Sequence, residues 1–113
     1  MRGVMRDGIY KVTLESGGIK GVVIGALRDG QITGCDRTHF VTGSYKRKGN
    51  RLSGTFSFRR HSRRDGVVEI ANLDDFDVRF TGIGSDGFGE LHSVVPGKHG
   101  PMVKATFRWI AEN

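Results

Sequence analysis

Apolar and polar residues alternate along most of this chain. In residues 9–15, Tyr10, Val12 and Leu14 share one face, and Lys11, Thr13 and Glu15 share the other. A period of two with one apolar face predicts a half-buried strand. The pattern returns in residues 51–60, where Leu52, Gly54, Phe56 and Phe58 oppose Ser53, Thr55, Ser57 and Arg59. Phe76, Val78 and Phe80 alternate with Asp77, Arg79 and Thr81. Val103, Ala105, Phe107 and Trp109 alternate with Lys104, Thr106 and Arg108. Residues 19–28 differ, because Val22, Ile24 and Ala26 face one way and Ile19, Val23 and Leu27 the other. Such a strand expects cover on both sides, from a core and from a partner subunit. The β-branched run Val22-Val23-Ile24 between Gly21 and Gly25 argues against a buried helix.

Turn chemistry separates these runs. Ser16-Gly17-Gly18 is a turn, and Asp29-Gly30 between apolar runs is a strong hairpin signal. A corner is expected at Gly34-Cys35-Asp36, with Gly34 taking a positive φ and Asp36 bonding its own backbone. A strand over 38–46 follows, interrupted by Gly43, and then a turn over 47–50. Gly82-Ile83-Gly84-Ser85-Asp86-Gly87 spells G-x-G-x-x-G. A strand follows instead of the helix that a dinucleotide site needs, so these residues read as a hairpin. The long connection, 61–73, begins polar. Its Val67-Val68-Glu69-Ile70 reads either as strand or as one short helical turn within 62–73.

About eight strands joined by short turns predict an all-β domain, an antiparallel up-and-down barrel over 7–113 after a lead-in over 1–6. Closure removes the exposed edges of such a sheet. Eight strands leave an interior that side chains fill or that holds one small ligand. Tyr10, Phe40, Phe56, Phe58, Phe80, Phe107 and Trp109 are the expected filling. If space remains, Tyr10, Val12, Phe40, Phe56, Phe80 and Trp109 would line a small apolar ligand.

With 113 residues the chain makes one domain. Its 18 glycines and 2 prolines suit short coiled strands rather than a linker. One cysteine, Cys35, rules out an intrachain disulfide and fits a reducing compartment. No apolar run precedes Asp7, and no stretch approaches the ~20 apolar residues of a membrane span, so we expect a cytoplasmic protein. His39, His61, His92 and His99 show no zinc spacing, and Asp74, Asp75 and Asp77 read as a solvated strand edge. We therefore expect a non-enzyme with no metal and no cofactor. The net charge of +6 favours anionic partners. Lys46, Arg47, Lys48 and Arg51 lie at one hairpin tip, while Arg59 and Arg60, with Arg63 and Arg64, lie where that hairpin ends. These residues make a nucleic-acid or partner surface a further expectation.

The pattern Asp7-Gly8-Ile9-Tyr10, then Gly34-Cys35-Asp36, then Gly43-Ser44-Tyr45 resembles the Grl-repressor-like proteins. These are small negative regulators of type III secretion, with relatives of unassigned role. The family start is similar to Met5-Arg6-Asp7-Gly8-Ile9-Tyr10. The central G-G-D…G-x-Y segment is matched by Gly34, Asp36, Gly43 and Tyr45, with Cys35 in place of a glycine. The likeness covers chiefly residues 5–60. It implies a lipocalin-like (calycin-like) eight-stranded barrel, a homodimer, and regulation by binding a protein partner such as a transcriptional regulator. The best-known member carries an acidic run after its G-x-Y strand, where Lys46-Arg47-Lys48 stand here.

Overall fold

The structure is a computed structural model that describes residues 5–62, 74–94 and 102–112. The strands are β1 (Gly8–Ser16), β2 (Ile19–Arg28), β3 (Gln31–Cys35), β4 (His39–Lys48), β5 (Arg51–Arg60), β6 (Asp75–Ser85), β7 (Phe88–Val94) and β8 (Met102–Ala111). Each pairs antiparallel with the next, and β8 returns to pair with β1, closing an eight-stranded barrel. The closing register sets Val12 opposite Phe107 and Leu14 opposite Ala105. The expected all-β up-and-down barrel is the fold observed. The helical turn expected near 62–73 falls, from residue 63 onward, outside the described residues.

Turn residues act where the sequence places them. Asp29 and Gly30 take φ of 52° and 80°, the left-handed pair that matches the twist of a two-residue hairpin. The G-x-G-x-x-G segment is the end of β6 and its turn into β7, as its strand-forming sequel implied.

The corner differs from expectation. Gly34 lies inside β3, between Gly25 and Val41 on the neighbouring strands, and has no positive φ. A Cβ there would stand 2.7 Å from the Ile24 carbonyl oxygen and 2.8 Å from the Gly25 Cα. Gly34 therefore serves close strand approach rather than a bend. The bend falls at 36–38. Asp36 Oδ1 accepts from the backbone N–H of Thr38 (2.8 Å) and of His39 (2.7 Å). The expected role of Asp36 holds.

That corner also sets the phase of β4. His39 and Val41 point inward and Phe40, between them, points out with 44% of its surface exposed. The expectation that Phe40 lines the interior is corrected by this one-residue phase. Strict alternation after the Asp36 turn overrides the tendency of a large ring to be buried.

The core is built from the inward residues of all strands. Tyr10, Val12, Leu27, Leu52, Phe56, Val78, Phe80, Leu91 and Phe107 are among the buried ones. Phe56 is central, with its ring 5.0 Å from Phe80 and 6.3 Å from Phe107. Gly43 makes room for it, since a Cβ at that position would run into the Phe56 ring. We expect Phe56→Ala to cost about 3–5 kcal/mol of stability, read as a fall in the urea midpoint at unchanged slope. A loss below about 1 kcal/mol would mean that the rings do not hold the barrel together.

Candidate functional surfaces

The barrel interior is nearly full. It retains an apolar cavity of about 20 Å³, whose walls include Val12, Val23, Val41, Phe56 and Phe80. One water needs roughly 10–15 Å³ and polar partners, and usual ligand pockets are about 300 Å³ or more. Of the residues expected to line a ligand, Val12, Phe56 and Phe80 are on the wall. Phe40 is outside the barrel. Tyr10 and Trp109 sit at one end of it.

That end is closed by residues 5–7, of which Met5 and Arg6 belong to the expected lead-in. Met5 is 4% exposed and inserts among the core residues. Its sulfur lies where a Cβ on Gly89 would otherwise stand, 2.7 Å away. Tyr45 donates its hydroxyl to the Met5 carbonyl (3.4 Å) and Tyr10 donates to the Arg6 carbonyl (2.6 Å). Trp109 Nε1–H donates to the Asp7 carbonyl at 3.2 Å. The Arg6 guanidinium lies 3.6 Å above the Trp109 ring, a cation–π contact. Asp7 Oδ1 accepts from the Asp29 N–H at 3.2 Å, tying this strap to the β2–β3 turn. Nothing in the polarity pattern of residues 1–6 announces the strap. Its only sequence signal is the set of polar-tipped aromatics that need partners when buried.

At the opposite end, Thr38 and His39 are the buried polar residues. The Thr38 hydroxyl donates to Asp36 Oδ1 (3.2 Å), which leaves its oxygen to accept from His39 Nδ1–H at 2.9 Å. The His39 ring meets the edge or face of Phe58 and Phe76, which stack on each other at 4.6 Å. His61 Nε2–H donates to the Asp36 carbonyl at 3.0 Å. Among the described residues no group of three His, Cys, Asp or Glu side chains could hold a metal ion.

Outside, one face is apolar. Ile24 stands opposite Cys35, and Cys35 opposite Phe40, on three successive strands. Val22 and Ile24 are 46% and 47% exposed, and Cys35 is exposed beside them. The second apolar face read in residues 19–28 is therefore real and uncovered in the single chain.

The basic residues of the β4–β5 hairpin divide into two groups. Arg59 pairs with Asp77 at 3.4 Å, and Arg60 with Asp74 at 2.6 Å. The aspartates read as a solvated edge are the partners of these arginines, a relation hidden by 14 to 18 residues of separation. Lys46, Arg47, Lys48 and Arg51 are exposed at the β4–β5 tip. There the Arg47 guanidinium donates to the Gly49 carbonyl at 2.9 Å. No family model matches the chain, and no curated protein matches it significantly.

The strap has a pH signature. Burial pushes the Tyr10 phenol up to about 12, with Tyr45 and Asp86 adding to the shift, and burial likewise raises Tyr45. A phenol that ionises later in the folded chain than in the unfolded one adds nothing to the pH dependence below its unfolded value of about 10. Above that pH the unfolded chain alone gains the charge, so stability falls from pH 10 towards 12. We expect a flat melting temperature from pH 7 to 9 and a decline beyond pH 10 that is shallower in Tyr10→Phe. The variant comparison is needed because Lys104, whose pKa is raised by its hydrogen bond to Glu90, also contributes stability that is lost at high pH. Parallel declines in both proteins would remove Tyr10 from this account.

Proposed function

We propose that the protein is a non-enzymatic, cytoplasmic regulatory module that acts by protein–protein binding as a homodimer, as its resemblance to the Grl-repressor-like proteins implies. The observation that carries this reading is the exposed row Ile24–Cys35–Phe40 with Val22 beside it, set on a barrel whose interior is already occupied. A carrier of small ligands would need a cavity of roughly 300 Å³, against about 20 Å³ here.

The second copy is the occupant this face suits. Its centre, formed by Val22, Ile24, Ala26, Thr33, Cys35 and Thr42 with Phe40, carries no charge. A two-fold axis through that centre opposes no like charges there, and Lys11 and Arg59 stand at its two borders. Three neighbouring strands about 4.8 Å apart, over the ~17 Å spanned by the five residues of β3, give an apolar centre of roughly 240 Å². The rest of the ~800 Å² per partner of a standard interface comes from the polar rim around it. The regulatory partner differs in chemistry from that of the best-known family member, because Lys46-Arg47-Lys48 reverse the charge of its acidic run.

Sedimentation velocity at tens of micromolar protein should show a dimer. Ile24→Asp combined with Phe40→Asp should convert it to a monomer with an unchanged far-UV circular dichroism spectrum, because both side chains point away from the core. A monomeric wild-type chain at that concentration would defeat the proposal.

A further inference from the structure

We propose that the outer face of β4 and β5, at the Gly49 end, binds the phosphate backbone of duplex nucleic acid without reading its sequence. This surface adjoins the apolar face along β4, where both include Thr42, but its charged tip at Lys48 lies roughly 26 Å along the strand from Phe40, so its test does not depend on the dimer reading.

Four successive outward cross-strand pairs make up the face: Thr42 with Ser57, Ser44 with Thr55, Lys46 with Ser53, and Lys48 with Arg51. Ser53 is in turn opposite Thr81 on β6. Hydroxyls, ammonium and guanidinium groups are the ones that proteins direct at phosphate oxygens. Here alternate residues about 6.6 Å apart repeat them along two strands. Neither β4 nor β5 contains a single Asp or Glu. Among the described residues Lys46, Lys48 and Arg51 form no ion pair. By contrast Arg6, Arg59, Arg60 and Lys104 are engaged by Asp86, Asp77, Asp74 and Glu90. Four basic side chains elsewhere are thus paired with acids, whereas the three at this tip are not, within a chain of net charge +6.

The same grid selects among anions. A single strand is held by bases stacked on exposed aromatic rings, and the outward positions of β4 beyond Phe40, and of β5, carry none. A lipid surface would be gripped by apolar side chains between the charges, where hydroxyls stand instead. Ile83, opposite Arg51, is a large apolar neighbour of the charged tip. A duplex backbone, met by charge and hydroxyl alone, is the partner that remains.

Fluorescence anisotropy of a labelled mixed-sequence DNA duplex, titrated with the full chain, tests this. Three phosphate contacts give a log–log salt slope near −2.7, so affinity should fall about 40-fold between 50 and 200 mM NaCl. Lys48→Gln should reduce that slope by about 1. Replacing Lys46, Lys48 and Arg51 together by Gln should abolish binding at 50 mM NaCl. Lys20→Gln, on β2, should leave it unchanged. The triple variant should still sediment as the wild type does, which separates failure here from failure of the dimer. The proposal is overturned by an absence of binding at 50 mM NaCl or by a triple variant that binds like the wild type. Tighter binding of phosphatidylserine vesicles, or of single strands, than of the duplex would overturn it equally.

Discussion

The structure depends on the ring of main-chain hydrogen bonds being complete. An open sheet of eight short strands would present two unpaired edges; pairing β8 with β1 removes both. Closure also confines the inward side chains of every strand to one narrow volume. At eight strands that volume is just filled by side chains. Here Phe56, Phe80, Phe107 and Tyr10 meet across it at ring distances of 5.0 to 6.3 Å. Stability thus comes from the inside, and the outward residues are released to meet other molecules.

What could be read in advance followed from that division. Inward positions obey a period of two and are chosen for size, so Tyr10, Val12, Phe56, Val78, Phe80, Ala105 and Phe107 were legible from alternation alone. Phe40 was not, because its orientation depends on the phase set by two hydrogen bonds to Asp36. Local pattern carries no record of that phase. Met5 was missed for a related reason. A residue that plugs a barrel end needs no periodicity, only the right chain length before β1. The pairing of Arg59 with Asp77 of β6, and of Arg60 with Asp74 just before it, is a product of register, which a single strand does not encode.

Most of the residues that carry the family resemblance serve the architecture. Asp7 fastens the strap, Tyr10 and Tyr45 hold its carbonyls, Asp36 turns the corner, and Gly34 and Gly43 admit close neighbours. A likeness built on such positions speaks for a shared fold. The outward positions lie apart from them, and they include the Lys46–Lys48 segment where the charge differs from that of the best-known member. Partner choice was therefore least legible where it most matters, on faces selected by something outside the chain.

The seam between the first and last strands has a consequence for biosynthesis. On the side away from β2, residues 9–15 pair with residues 104–111, so a chain emerging from the ribosome carries β1 with one side unsatisfied until β8 has been made. During that interval β1 and β7 are free borders, and the exposed row on β2 to β4 is available to bystanders. Contacts of such long sequence separation also form slowly. The interval before the seam closes is when this protein is most open to aggregation and most in need of a chaperone.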